Sequence, residues 1–268
     1  MYPRLFQFGH IAIPAYGVFA ALAILAALAV STQTARRLSL NPETVWNLGL
    51  TGIFTALIGA RLLLALFHPR DFLAHPFWMM GLVSVRSNTA FYGSLVLAIC
   101  ICCGYIFASR LPLRRTLDCI APAAALGLGI RALGAFAAGS DYGSPTSAPW
   151  GVTYTHRLAS LWSGTPLGTR LHPVQLYEAA VLFALFALLM FLLPRYQHAG
   201  DLAALFLFVY GAALYFLDFC RGAHSFVFAE FLSIAQICGI LSVLVGLVLF
   251  WQTSGRQQNR GPATGKIS

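Results

Sequence analysis

An all-α integral membrane bundle of about seven transmembrane helices is the fold that this sequence predicts. Two observations predict it. The 268-residue chain is 59% hydrophobic and only 9% charged, whereas a soluble domain carries about 25% charged residues. Seven apolar stretches also approach the length needed to cross a bilayer, roughly 20 residues each. They lie near 11–31, 47–67, 89–108, 119–139, 173–193, 202–220 and 229–251.

Each span has a local signature. The first is followed by Arg36 and Arg37 rather than by a small-residue cleavage site, so it reads as a span and not as a signal peptide. A polar turn at 32–46 leads to the second, which ends in "GARLLLALF". The loop 68–88 precedes the third, and a basic turn at 109–118 precedes the fourth, which carries "GLGIRALGAF". The longest loop, 140–172, is rich in Gly, Ser, Pro and Thr. The fifth span opens on "HPVQLYEAA", the sixth closes on "YFLDFCRG", and the seventh contains "LSIAQICGILSVLVG". Residues 1–251 are expected to form one transmembrane domain. Residues 252–268 have the composition of a flexible cytoplasmic tail.

Orientation follows from loop arginines and lysines. One side holds Arg36, Arg37, Arg110, Arg114, Arg115, Arg195, Arg256, Arg260 and Lys266. The other holds Arg4, Arg70, Arg86, Arg157, Arg170 and Arg221. The richer side is read as cytoplasmic, which puts the amino terminus outward.

The net charge of +9 does not read as a nucleic-acid footprint. The basic residues are scattered through short loops, with no basic face interleaved with aromatics. Anionic lipid and the membrane are the expected partners. Cys100, Cys102, Cys103, Cys119, Cys220 and Cys238 lack metal-site spacing and read as small buried hydrophobes. No metal, nucleotide loop or redox centre is expected, and no cofactor.

Charges inside spans carry the functional signal. Arg61 and Arg131 lie in the second and fourth spans, where an Arg costs about 2.5–3.5 kcal/mol. The chain has only eight acidic residues, so full pairing within the protein is not expected and an anionic ligand is the alternative. Snorkelling, or pairing with Asp218 or Glu178, is the bland reading. Gly127, Gly129 and Gly134 flank Arg131. They permit close helix packing or the approach of a lipid head group. Asp218 and Arg221 share a helix face, either as a local ion pair or with Asp218 holding Arg221 toward a phosphate. His172 precedes a proline suited to a first helical turn, with Gln175, Tyr177 and Glu178 close behind. It reads as a proton-transfer group or as a brace for the long loop.

In their order, "PAYGVFAAL", "GARLLLALF", "NTAFYGSLV", "GLGIRALGAFAAGSDYGSPTSAPWGV", "HPVQLYEAAVLFALFALL" and "YFLDFCRG" resemble the prolipoprotein diacylglyceryl transferases along nearly the whole chain. The resemblance implies an enzyme of the bacterial inner membrane. It would move the diacylglyceryl group of phosphatidylglycerol onto the lipobox cysteine thiol of a prolipoprotein, with the prolipoprotein signal peptide as partner and without cofactor or metal. Tyr16, Arg61, Gly143, His172, Gln175, Tyr177, Glu178 and Arg221 match family positions, and Asp218 stands for a Glu. Other family positions are replaced. Ala135 and Ala138 stand for Asn, and Ser140 for Glu with Asp141 adjacent. Tyr92-Gly93-Ser94 stands for His-Gly-Gly, and Tyr215 for Arg. Arg131 sits one residue from the signature Arg, about 100° around an ideal helix. Three readings follow from this pattern. The first is an active transferase with a rebuilt site, in which His172, or else Tyr92, serves the thiol, Tyr16 is a further catalytic residue, Arg61, Arg131 and Arg221 take the phosphate, and Gly134 lets the head group approach. The second is a paralogue using the same cavity on another acceptor or head group. The third is a non-catalytic lipid- or protein-binding membrane protein.

Overall fold

The computed structural model describes residues 4–8, 11–70, 88–195, 198–222, 226–228 and 232–258. The chain opens with an antiparallel pair, β1 (Arg4–Phe8) and β2 (Ile11–Pro14). The helices α1 (Ala15–Arg37), α2 (Pro42–Phe67), α3 (Asn88–Ala108) and α4 (Leu113–Ala138) follow. The loop after α4 contains β3 (Val152–Thr153), the short helix α5 (Arg157–Ser163) and β4 (Arg170–Leu171), with β3 and β4 paired antiparallel. Then come α6 (Val174–Leu192), α7 (Asp201–Asp218), the pair β5 (Phe226–Phe228) and β6 (Leu232–Ser233), and α8 (Ile234–Gln258). Six helices are long and apolar enough to cross a membrane, and Gly93–Ala108 within α3 is a shorter apolar helix. These seven helices coincide with the seven expected spans.

The chain divides into two compact units, Ser31–Thr116 and the remainder. In the first, α2 packs on α3. Asn41 starts α2 by accepting hydrogen bonds from the amides of Glu43 (2.9 Å) and Thr44 (3.4 Å), and Pro42 supplies a pre-set φ at the first helical position. Gly59 lets α3 approach: a Cβ there would lie 3.1 Å from Leu97 and 3.7 Å from Ser94.

The second unit holds α1 as far as Val30, with α4 from Leu117 and α5 to α8. The stripe "GLGIRALG" is a packing surface. A Cβ on Gly127 would lie 3.2 Å from Ala27, one on Gly129 2.9 Å from Phe183, and one on Gly134 2.5 Å from Phe19. The glycines therefore draw α1 and α6 onto α4, as small residues do between membrane helices. At Gly134, Phe19 occupies the space that a head group would need. Helices α7 and α8 meet in the same way, through Gly211 on Gly239 and Ala204 on Gly246.

One buried charge ties this unit together. Asp118, wholly buried on α4, accepts from the amides of Gly200 (2.6 Å) and Ala203 (2.9 Å) at the start of α7. It caps a helix that has no side-chain cap from its own N-cap residue.

Three expectations need correction. Of the six cysteines only Cys119 is buried, while Cys100 and Cys238 are exposed on apolar helices. Helix α8 continues through Gln258, into the segment read as a flexible tail. Pro173 sits just before α6 rather than in its first turn. The loop 68–88 and residues 259–268 lie largely or wholly outside the described residues, as do His10, His75 and His224.

Candidate active site

The site is built where the loop after α4 is laced to two other segments. Gly139, at φ +78°, ends α4, and its carbonyl accepts from the Thr165 hydroxyl at 2.5 Å. The chain then runs extended between the end of α7 and the approach to α6. The Ser144 amide donates to the Cys220 carbonyl (2.8 Å), the Gly222 amide to the Tyr142 carbonyl (3.0 Å), and the His172 amide to the Ser144 carbonyl (3.0 Å). Gly143 lies at the centre of this lacing. A Cβ there would run into the carbonyl oxygens of His172 and Cys220, so only glycine fits.

This lacing brings together four charges from four segments. Glu178, on the second turn of α6 and only 3% exposed, is the hub. Its Oε1 accepts from Arg131 of α4 at 2.8 Å, and its Oε2 from Arg221 at 3.4 Å. Arg131 also donates to Asp141 at 3.1 Å. Asp141 holds a left-handed φ of +55°, a conformation that Asp tolerates better than most residues. Tyr210 of α7 and Tyr16 of α1 lie within electrostatic reach of this cluster. Glu178 and Asp141 thus balance the two arginines. Arg131 is therefore paired inside the protein, contrary to the expectation drawn from the scarcity of acidic residues. Glu178, one of the two named candidates, is a partner.

A cavity of about 300 Å³ adjoins the cluster, lined by Ser140, Asp141, Tyr142, Ser163 and Arg221. The Arg221 Nε is buried without a hydrogen-bond partner among the described residues. Such a group ordinarily finds an acceptor.

A second chain of contacts flanks the first. Trp150 Nε1 donates to the Tyr177 hydroxyl at 2.7 Å, and that hydroxyl lies 3.3 Å from His172 Nδ1. Behind it, Gln175 Nε2 donates to the Ser140 carbonyl (2.6 Å) and to the Tyr154 hydroxyl (3.1 Å). Burial pushes the Tyr154 hydroxyl above its usual pKa, while the bond from Gln175 opposes that shift. Asp218 accepts from the Ser233 hydroxyl at 2.6 Å, and the charge that Arg221 reaches is Glu178.

The structure thus gathers Tyr16, Arg131, Asp141, Gly143, His172, Gln175, Tyr177, Glu178 and Arg221 around one loop. Gly134 stands behind them and admits Phe19. Arg61 belongs to the other unit, where it is half-buried on α2. Tyr92 lies on α3, and its side chain is outside the described residues. Tyr210 and Trp150 escaped the sequence reading. A mid-span tyrosine away from any interfacial belt was the available signal for the first. Among the described residues, no group of three or more His, Cys, Asp or Glu converges as metal ligands would.

Residues 3–252 match the prolipoprotein diacylglyceryl transferase family. The chain is similar to the phosphatidylglycerol–prolipoprotein diacylglyceryl transferase of Clostridium tetani, 26% identical over 93% of this chain and 97% of that protein. The enzyme of the same name from Bordetella bronchiseptica is 29% identical over 94% and 95%. That from Bordetella avium is 31% identical over 78% and 77%. This multi-pass membrane protein belongs to the prolipoprotein diacylglyceryl transferase family.

Proposed function

We propose that this chain transfers the diacylglyceryl group of phosphatidylglycerol to the lipobox cysteine of a prolipoprotein, in a bacterial inner membrane with its amino terminus outward. The observation that carries the reading is the pair of arginines on either side of Glu178, one of which, Arg221, also lines the adjoining cavity. In the reaction an S–C bond forms to the glyceryl carbon and the C–O bond to phosphate breaks. Glycerol phosphate leaves with the electron pair and gains one negative charge. Cations and hydrogen-bond donors fixed at that oxygen stabilise the change. Arg221 and Arg131 fit this role, and bidentate guanidinium contacts suit phosphate. Asp141, 44% exposed, is the weaker tether on Arg131 and the one that an incoming phosphate would displace.

The thiol must lose its proton to become a nucleophile. If His172 donates Nδ1–H to Tyr177, its Nε2 is free to accept that proton, and Trp150 fixes Tyr177 in turn. Tyr16 and Tyr92 are the other hydroxyls proposed to serve the thiol. Gln175 and Gly143 hold the loop that carries Asp141, Asp218 holds the turn that carries Arg221, and Arg61 is proposed to meet lipid.

The test is transfer of labelled phosphatidylglycerol to a lipobox peptide by purified protein, with a Cys→Ser peptide as control. Label on the Cys peptide alone supports the reading. No transfer by folded protein moves the weight to a relative that uses the same cavity on another acceptor.

A further inference from the structure

A second cavity lies at the other end of the helices that carry the cluster. It occupies about 530 Å³ and is walled by apolar side chains, among them Leu205 and Phe208 of α7 with Leu247 and Phe250 of α8. From Glu178 to Leu192, where the groove begins, α6 rises about 21 Å. In a bilayer whose hydrocarbon core is about 30 Å thick, the two cavities face opposite leaflets.

The mouth of the groove is polar, formed by Arg195, His198 and Asp201. The Arg195 guanidinium stacks over the Phe191 ring at 4.0 Å and donates to the Phe191 carbonyl at 2.9 Å. It is held in place with other N–H groups still exposed. Asp201 lies 3.5 Å from His198 Nδ1. The start of α7 offers no competing anion site at Gly200 and Ala203, because Asp118 already takes those amides. The mouth therefore presents the fixed Arg195 cation and the Asp201 carboxylate, with His198 beside the latter, above an apolar slot.

We propose that this groove holds one phospholipid with an ammonium head group, its phosphate on Arg195, its ammonium on Asp201 and an acyl chain along the apolar wall that Leu192, Leu205, Phe208, Leu247 and Phe250 form. The apolar walls exclude polar solutes, and the volume lies in the range of small-molecule sites. Charge decides the head group. A zwitterion meets an opposite charge at both positions. Phosphatidylglycerol meets one, because its phosphate also rests on Arg195 while its glycerol offers Asp201 only neutral hydroxyls. The lipid held here thus differs from the anionic one read at the other end.

Native mass spectrometry of the full chain, extracted from bilayers of equal phosphatidylethanolamine and phosphatidylglycerol, tests this. Wild type is expected to retain phosphatidylethanolamine about threefold over the Asp201→Asn variant, the scale of one exposed charge contact. Phosphatidylglycerol retention should be the same in both. Leu247→Trp fills the slot and should remove the phosphatidylethanolamine adduct. Equal phosphatidylethanolamine retention by wild type and Asp201→Asn overturns the proposal, as does an adduct that survives in folded Leu247→Trp. If Leu247→Trp does not fold, Asp201→Asn alone decides.

Discussion

Arg131→Ala is the substitution on which the account of the site can be weighed. Arg131 reaches Glu178 at 2.8 Å and Asp141 at 3.1 Å. Without it, Glu178, 3% exposed, keeps the longer contact to Arg221 as its charge partner. Removing one member of a buried pair costs about 3–5 kcal/mol. Arg131 is itself 28% exposed, so about 3 kcal/mol is the working figure. If that loss falls on the transition state, at 1.36 kcal/mol per tenfold it predicts about a hundredfold fall in kcat/KM for transfer to the lipobox peptide. Arg131→Lys supplies one compact ammonium that cannot bridge two carboxylates, and a loss of about tenfold is expected. Arg70→Ala, at an exposed position, is the control and should change the rate by less than about twofold. Thermal unfolding in detergent separates a rate effect from lost fold. An Arg131→Ala enzyme that is folded and no slower than Arg70→Ala would refute the reasoning.

Three further outcomes follow from the geometry. Asp118→Ala orphans two buried amides at about 1–3 kcal/mol each, so unfolding free energy should fall by about 3 kcal/mol. An unchanged denaturation midpoint would show that α7 does not depend on this cap. Gly143→Ala places a methyl against two carbonyl oxygens and should abolish transfer and lower folded yield. Gly168→Ala meets nothing within 4 Å and carries only the strain of a φ of +74°, so its yield should stay near wild type. Tyr154→Phe tests the one shifted hydroxyl in the loop. Its pKa is raised in the fold, so its neutral form contributes stability below the ordinary tyrosine pKa of about 10 and loses it as pH rises through the folded value. Wild type should therefore lose stability above about pH 10 more steeply than Tyr154→Phe, read as the midpoint of alkaline unfolding.

The spans were legible because length and composition alone decide them. Their ends were less so. Helix α4 begins at Leu113 rather than near 119, which puts Asp118 inside the helix, where it is buried. Read as a loop residue, it gave no sign of capping α7. The start of α2 at Pro42 was available from Asn41 and Pro42, a cap and a first-turn proline. The charges of the site stood out in so apolar a chain. Their pairing was open only as one alternative among several, because Arg131 and Glu178 are 47 residues apart and Glu178 and Arg221 are 43 apart. Periodicity within one helix cannot report such contacts. The Gly127–Gly134 stripe left two meanings open, and the position of Phe19 against Gly134 decides for packing.

The central claim is that Arg131 and Arg221 act on the leaving phosphate as one unit through Glu178. A double-mutant cycle on transfer rate tests it most directly, using wild type, Arg131→Ala, Arg221→Ala and the double variant. Groups acting as a unit are strongly non-additive. The account predicts measurable transfer by wild type and a double variant no slower than the worse single variant. Losses that multiply, or a wild-type protein without transfer, would contradict it.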